Sequence, residues 1–197
     1  PAGGGQVCVQ QHSWVTRRKV LMDQEKIPYH DWAGRGLLTI VDAEYIDDTA
    51  IYQWFLDREN EGYDIRCIGY DPANAVRLTK QLQGHGWDTD IVRQGAITLS
   101  DPLKEIRVLM LQGALVMNND PMMRWYIHNV RLRNSQSDAE MGNWVPTKRS
   151  RFRKIDGFAA MLDAWVVWRR KAYPEDVVTE PSVTVIKLNR NRGGAGP

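Results

Sequence analysis

Short apolar blocks of strand length alternate with stretches whose apolar residues fall three and four positions apart. The blocks LLTIV (37–41) and IRCIGY (65–70) have the length and bulk of buried strands. Gln6 to Val15, with Val7, Val9 and Trp14, predicts an earlier strand, and 16–25 a short polar helix. PYHDWAGRG (28–36) predicts one or two helical turns closed by Gly34 or Gly36. Asp47 or Asp48 caps a helix with Ile51, Trp54, Phe55 and the stem of Arg58 on one face. The spacing then predicts a helix over 73–83, with Val76, Leu78 and Leu82 inward and Gly84 at its end, and a strand at 89–94. Over 100–112, Ser100 is the expected N-cap, Pro102 an early-turn residue, and Leu103, Ile106, Leu109 and Met110 the buried stripe. A short strand at 114–118 and a helix over 121–130 with Met122, Trp125 and Tyr126 follow. After a polar, loop-like segment (134–143), DGFAAMLDAWVVWRRK (156–171) is the strongest helix, with Phe158, Leu162, Trp165 and Val166 on one face. Strands and helices alternate through 37–117, which predicts an α/β fold with partly parallel pairing.

Composition narrows the class. The chain has 197 residues, 43% hydrophobic and 25% charged, the profile of one globular domain with tails. No apolar run reaches the ~18 residues of a membrane span, and PAGGGQVCVQQHSW is not a secretion signal. The opening without Met reads as a fragment or a processed product. Cys8 and Cys67 read as buried free thiols rather than a disulfide, and no Cys/His spacing resembles a zinc site. The net charge of +2 is too small to imply nucleic acid, but its distribution is uneven: KRSRFRK (148–154) holds five basic residues in seven. Trp54, Trp125 and Trp165 are expected in the core; Trp32 and Trp144 lie in more polar surroundings suited to a partner.

Candidate chemistry centres on acids. IRCIGY would deliver Asp71 to the rim of a sheet, where reactive groups of open α/β folds collect. Taken alone, Asp71 also suits a cap for a helix beginning near Ala73, with Pro72 in its first turn. Asp156 opens the most apolar helix, where an acid favours the dipole. If the two converge they form a hard-oxygen site selecting Mg²⁺ or Mn²⁺, and two such ions can drive phosphodiester cleavage. Asp163, two turns and about 10 Å further along that helix, is secondary, and Asp120 reads as a helix cap.

The segments IPYHDWAGRGLLTIV, YIDDTAIYQW, IGYDPANA, NNDPMMRWYIHNV and KIDGFAAMLDA, in this order after the Ser13–Trp14 pair, resemble the C-terminal nuclease domain of the large terminase subunit of tailed bacteriophages. The resemblance runs from about Gln6 to Arg170. It implies a ribonuclease H-like mixed central sheet flanked by helices, binding two divalent ions. By position Asp71 would be the second catalytic and metal-binding carboxylate and Asp156 the last. The strand bearing the first catalytic Asp, and the ATPase motor, are expected upstream, so 1–173 reads as an N-terminally truncated nuclease domain and 174–197 as a loosely held tail. Lys148, Arg149, Arg151, Arg153 and Lys154 would contact phosphates of double-stranded DNA. The implied function is a metal-dependent endonuclease cutting concatemeric viral DNA in the host bacterial cytoplasm, with portal and small terminase subunit as partners and no membrane. A nonenzymatic DNA-binding or motor-docking module and a resolvase- or transposase-like core are the alternatives.

Overall fold

The computed structural model describes residues 6–73, 75–134 and 142–172. In chain order the elements are β1 (Val7–Cys8), β2 (Ser13–Thr16), α1 (Arg17–Leu21), α2 (Tyr29–Gly34), β3 (Leu38–Val41), α3 (Asp48–Asn60), β4 (Ile68–Tyr70) and α4 (Val76–His85). They continue with β5 (Thr89–Ile91), α5 (Ala96–Leu111), β6 (Leu115–Val116), α6 (Pro121–His128), β7 (Val130–Asn134), β8 (Trp144–Lys148) and α7 (Asp156–Ala172). The tail over 174–197 and most of the polar 134–143 segment lie outside the described residues.

Helix starts follow side-chain chemistry. Thr16 Oγ1 accepts from the Lys19 N–H at 3.3 Å, and Asp47 Oδ1 from the Thr49 N–H at 3.1 Å. Asp120 Oδ1 accepts from both Met122 and Met123, at 2.8 and 3.0 Å, with Pro121 supplying the first helical φ. Each cap satisfies amide groups that the helix leaves without partners.

The strands form a mixed set of two-stranded ladders: β1–β6, β2–β3 and β4–β5 are parallel and β7–β8 is antiparallel. The single strand expected over 6–15 is therefore two. Its polar middle is used sideways: the Gln11 amide donates to the Leu37 carbonyl and to Asp120, and the His12 ring bonds Gly36 and Thr39. β1 and β2 then pair with different partners.

Two apolar clusters hold the layers. The larger joins Leu99, Leu103, Ile106 and Leu109 of α5, Phe158, Leu162 and Val166 of α7, Met122, Met123 and Tyr126 of α6, and Tyr29 and Trp32 of α2. Burying one such side chain contributes about 1.5–3 kcal/mol. The smaller gathers Ile68, Leu82 and Trp87 against α3. Trp32, expected in polar surroundings, is only 4% exposed and packs on Trp125, because α2 lies flat on the core. Val76, expected inward, is exposed at the first turn of α4, and Cys8 is exposed while Cys67 is half-buried; both are free thiols.

α5 starts a turn earlier than its sequence predicts. The N–H groups of Thr98 and Leu99 both donate to the Gly95 carbonyl, so Ser100 lies inside the helix. Its hydroxyl instead accepts from the Trp144 N–H at 3.1 Å and fastens α5 to β8. Pro102 also lies inside the helix, buried in the core, where its missing N–H is tolerated by the surrounding packing.

Candidate active site and nucleic-acid face

β4 and β5 run parallel, so their carboxyl ends leave the ladder on the same side, and the Val92 N–H extends the pairing to the Tyr70 carbonyl. Asp71 emerges there, exposed, with its Oδ1 accepting from the Ala73 N–H at 3.1 Å. That bond makes a tight turn around Pro72. α4 begins only at Val76, with Ala75 at the cap position and no side-chain cap, so Asp71 does not cap it.

Gln94, leaving the end of β5, reaches back over the same rim. Its Nε2 donates to the Val92 carbonyl at 3.1 Å and to Asp163 Oδ1 at 2.9 Å. Asp163 belongs to α7 and is 7% exposed, in line with the buried stripe. α7 and β4 touch through Gly69: a Cβ there would lie 2.8 Å from the Asp163 carbonyl oxygen and 2.5 Å from Val167 Cγ2. The missing side chain lets the helix backbone approach the strand. Burial raises the Asp163 carboxyl to about 6; the Gln94 bond opposes that shift, and the negative charge of Asp71 adds to it.

Asp156 heads the same helix, exposed, two turns or about 10 Å from Asp163. It lines a cleft of about 280 Å³ with Thr16, Lys19, Tyr29, Tyr126 and Lys154. Burial pushes the Tyr29 and Tyr126 hydroxyls up to about 12, and the charge of Asp156 contributes to both. Tyr126 is also bonded to Ser13 at 3.0 Å, and it packs so tightly on Gly157 that a Cβ there would lie 2.4 Å from the ring. Asp120 is engaged as the α6 cap and as acceptor of the Gln11 amide.

None of Asp71, Asp156 and Asp163 has an ion-pair partner among the described residues. Nor does any group of three or more His, Cys, Asp or Glu among them stand ready to hold a metal ion. An acid buried beside a second acid, with only one amide as partner, is an environment that a hard cation would neutralise. On that chemistry the residues present fit a divalent ion.

The basic segment continues directly into α7. Lys148 ends β8; Arg149, Arg151 and Lys154 have no acidic partner among the described residues, and Arg151 lies 4.5 Å over the Phe152 ring. Arg153 differs from its neighbours in the expected strip: its Nε stands 3.6 Å from Glu25 Oε2. Sequence reasoning missed Gln94 and ranked Asp163 second. The available signal was an acid set within the apolar stripe between Leu162 and Val166.

The arrangement has a ribonuclease H-like fold: a parallel strand pair, of which β4 runs into Asp71, crossed by a helix that carries Asp156 and Asp163. Residues 12–172 match the family described as terminase large subunit, endonuclease domain, and the chain belongs to that family. The crystal structure of the HK97 bacteriophage large terminase superposes with a TM-score of 0.67 at 18% identity, over 78% of this chain and 32% of that one. The terminase large subunit of Lactococcus phage SK1 is 29% identical over 140 residues, which is 68% of this chain and 25% of the relative. Protein YmfN of Escherichia coli K12 is 25% identical over 139 residues, 69% of this chain and 29% of its own length. The chain thus spans about a quarter of the length of these curated relatives. No helix among the described residues is long and apolar enough to cross a membrane.

Proposed function

We propose that this chain is a divalent-metal-dependent DNA endonuclease domain, acting in the host bacterial cytoplasm to cut concatemeric viral DNA during packaging. The observation that carries the reading is the buried Asp163 carboxylate beside Asp71 at the end of a parallel strand pair, with no cationic side chain among the described residues paired to either. Maintaining bare acids there costs stability, and a site that bears such a cost is a candidate for chemistry. Asp71 and Asp163 would hold Mg²⁺, and Asp156, about 10 Å further along α7, would serve the same divalent-ion site from the neighbouring cleft. When bound, the metal supplies Lewis-acid activation of water and offsets charge developing at phosphorus. The chain's own residues present and orient the acids: β4 carries Asp71 to the rim, the Gln94 amide fixes Asp163, and α7 places Asp156 beside Lys154. Lys148, Arg149, Arg151 and Lys154 would take backbone phosphates without reading sequence. In the whole protein the portal and small terminase subunit would be the partners.

Supercoiled plasmid nicking in Mg²⁺ tests the reading. The intact chain should nick, and Asp71→Asn, Asp156→Asn and Asp163→Asn should each lower the rate at least about 100-fold, beyond the loss expected for an outer partner of a metal. Mg²⁺ should raise the melting temperature of the intact chain and not of Asp163→Asn. DNA retained without nicking by the intact chain would overturn the proposal in favour of a nonenzymatic docking module.

A further inference from the structure

We propose that the β7–β8 hairpin is a second half of the DNA-contact surface, with Arg131 and Arg133 taking backbone phosphates of the same duplex. This rests on the nuclease reading and extends its contact beyond the 148–154 segment.

Three observations carry it. The first is orientation. In the antiparallel register Asn134 faces Trp144 and Arg133 faces Val145, while Leu132 faces Pro146 and Arg131 faces Thr147. Side chains alternate across a ladder, so Trp144 and Pro146 share one face and Arg131, Arg133, Val145 and Thr147 the other. Val130 and Trp144, on the first face, pack against the core, so the arginine face points outward, and both arginines are exposed.

The second is charge. Several exposed arginines elsewhere have acids: Arg17 with Asp42, Arg18 with Glu44, Arg77 with Asp47 and Asp48. Arg131 and Arg133, like Lys148 and Arg149 at the hairpin base, have none among the described residues. An outward face of cations without acids among the described residues suits an anionic partner. Two positions along an antiparallel strand separate the arginines by about 6.8 Å, far enough for each to take a different phosphate.

The third is rigidity. Asn129 is 1% exposed and sits where α6, the hairpin and the basic loop meet. Its carbonyl accepts from the Arg149 N–H at 2.9 Å, and its Nδ2 donates to the Lys154 carbonyl at 2.9 Å. The hairpin and the loop leading to Asp156 are therefore pinned to one buried residue, which fixes the arginine face relative to that loop; Lys148, paired with Val130, lies on the opposite face of the ladder.

The test is the salt dependence of binding to a fluorescein-labelled 20-base-pair duplex, by anisotropy in metal-free buffer from 50 to 200 mM KCl. The 197-residue chain is compared with Arg131→Gln/Arg133→Gln and with Arg17→Gln/Arg18→Gln, a pair of exposed but acid-paired arginines. The hairpin variant should bind at least about tenfold more weakly at 100 mM salt, with a log–log salt slope shallower by about 1.8, the value for two lost phosphate contacts. Its melting temperature should equal that of the intact chain, and the control pair should change affinity less than twofold. Unchanged affinity and slope in the hairpin variant would overturn the proposal while leaving the nuclease reading in place. If the intact chain does not bind the duplex, the DNA contacts of both proposals fall. If it binds but does not nick, only the nuclease reading does.

Discussion

The two halves of α7 treat charge in opposite ways. At its C-terminal end Arg169 pairs with Glu105 at 3.1 Å, Arg170 with Asp90 at 2.9 Å, and Lys171 with Asp88 at 2.9 Å. These pairs tie the helix to α5, to β5 and to the residue just before β5, and the cations also suit the helix dipole. In its N-terminal half Asp156 and Asp163 have no ion pair among the described residues, although Lys148, Arg149, Arg151 and Lys154 lie just upstream in the chain. Asp156 at the head of the helix suits the dipole, but a helix selected for stability alone would not bury Asp163 without a cation. In this chain the cations remain on the hairpin and loop while the acids remain on the helix and the β4 rim. The pairing half fixes where α7 lies, and the unpaired half leaves its acids apart from the cations upstream, the separation on which the proposed function rests.

Breaking the joint between the halves should have the largest effect. Gly69→Ala would press a methyl group against the Asp163 carbonyl, which belongs to helix backbone and cannot yield as a flexible side chain would. An overpacking cost of about 2–3 kcal/mol is expected, lowering the thermal midpoint by roughly 5–10 °C and displacing both ends of α7. An unchanged midpoint in thermal unfolding would mean that α7 and β4 are not in close backbone contact.

A smaller effect sharpens the contrast at the unpaired end. The Asp163 carboxyl is raised from 3.8 to about 6, so between those values the folded chain holds one more proton than the unfolded chain. Stability from this group therefore falls as pH rises through that window. With divalent ions chelated, Asp163→Asn should raise the midpoint by about 2–4 °C at pH 8, and the gain should vanish as pH is lowered toward 4. A loss of stability at pH 8 would show that the carboxylate is compensated after all.

The smallest effect belongs to the paired end. Arg170→Gln removes an exposed pair and should cost about 0.5–1 kcal/mol, declining with added salt. Calorimetry of this variant should show only a slight fall in midpoint, and plasmid nicking should be unaffected. A large fall would shift the anchoring of α7 from Gly69 and the core to the surface pairs.

Much of the fold was legible because local chemistry and burial agree. The apolar stripe of α7, the Asp47 and Asp120 caps and the Leu38–Val41 strand each follow from a few neighbouring residues. Legibility failed where a polar group serves a distant partner. Ser100 has the composition of a cap but bonds Trp144, 44 positions away. Gln11 and His12 interrupt a strand to reach Leu37, Gly36 and Thr39. The basic 148–154 segment was visible as a run of charge, but not that Arg153 is drawn off by Glu25.

The sequence by itself determined the alternation of strands and helices, the acid at the end of a buried strand, and the acid at the head of the most apolar helix. These depend on spacing along the chain, and period 2, period 3.6 and capping rules operate over a few residues. Only the tertiary structure decided which acid of α7 stands beside Asp71, that Gln94 holds it, and that Asn129 joins the hairpin to the basic loop. Those relations are set by how β4 lies across α7 and by the gap a glycine leaves between them. No local pattern encodes a distance between residues far apart along the chain.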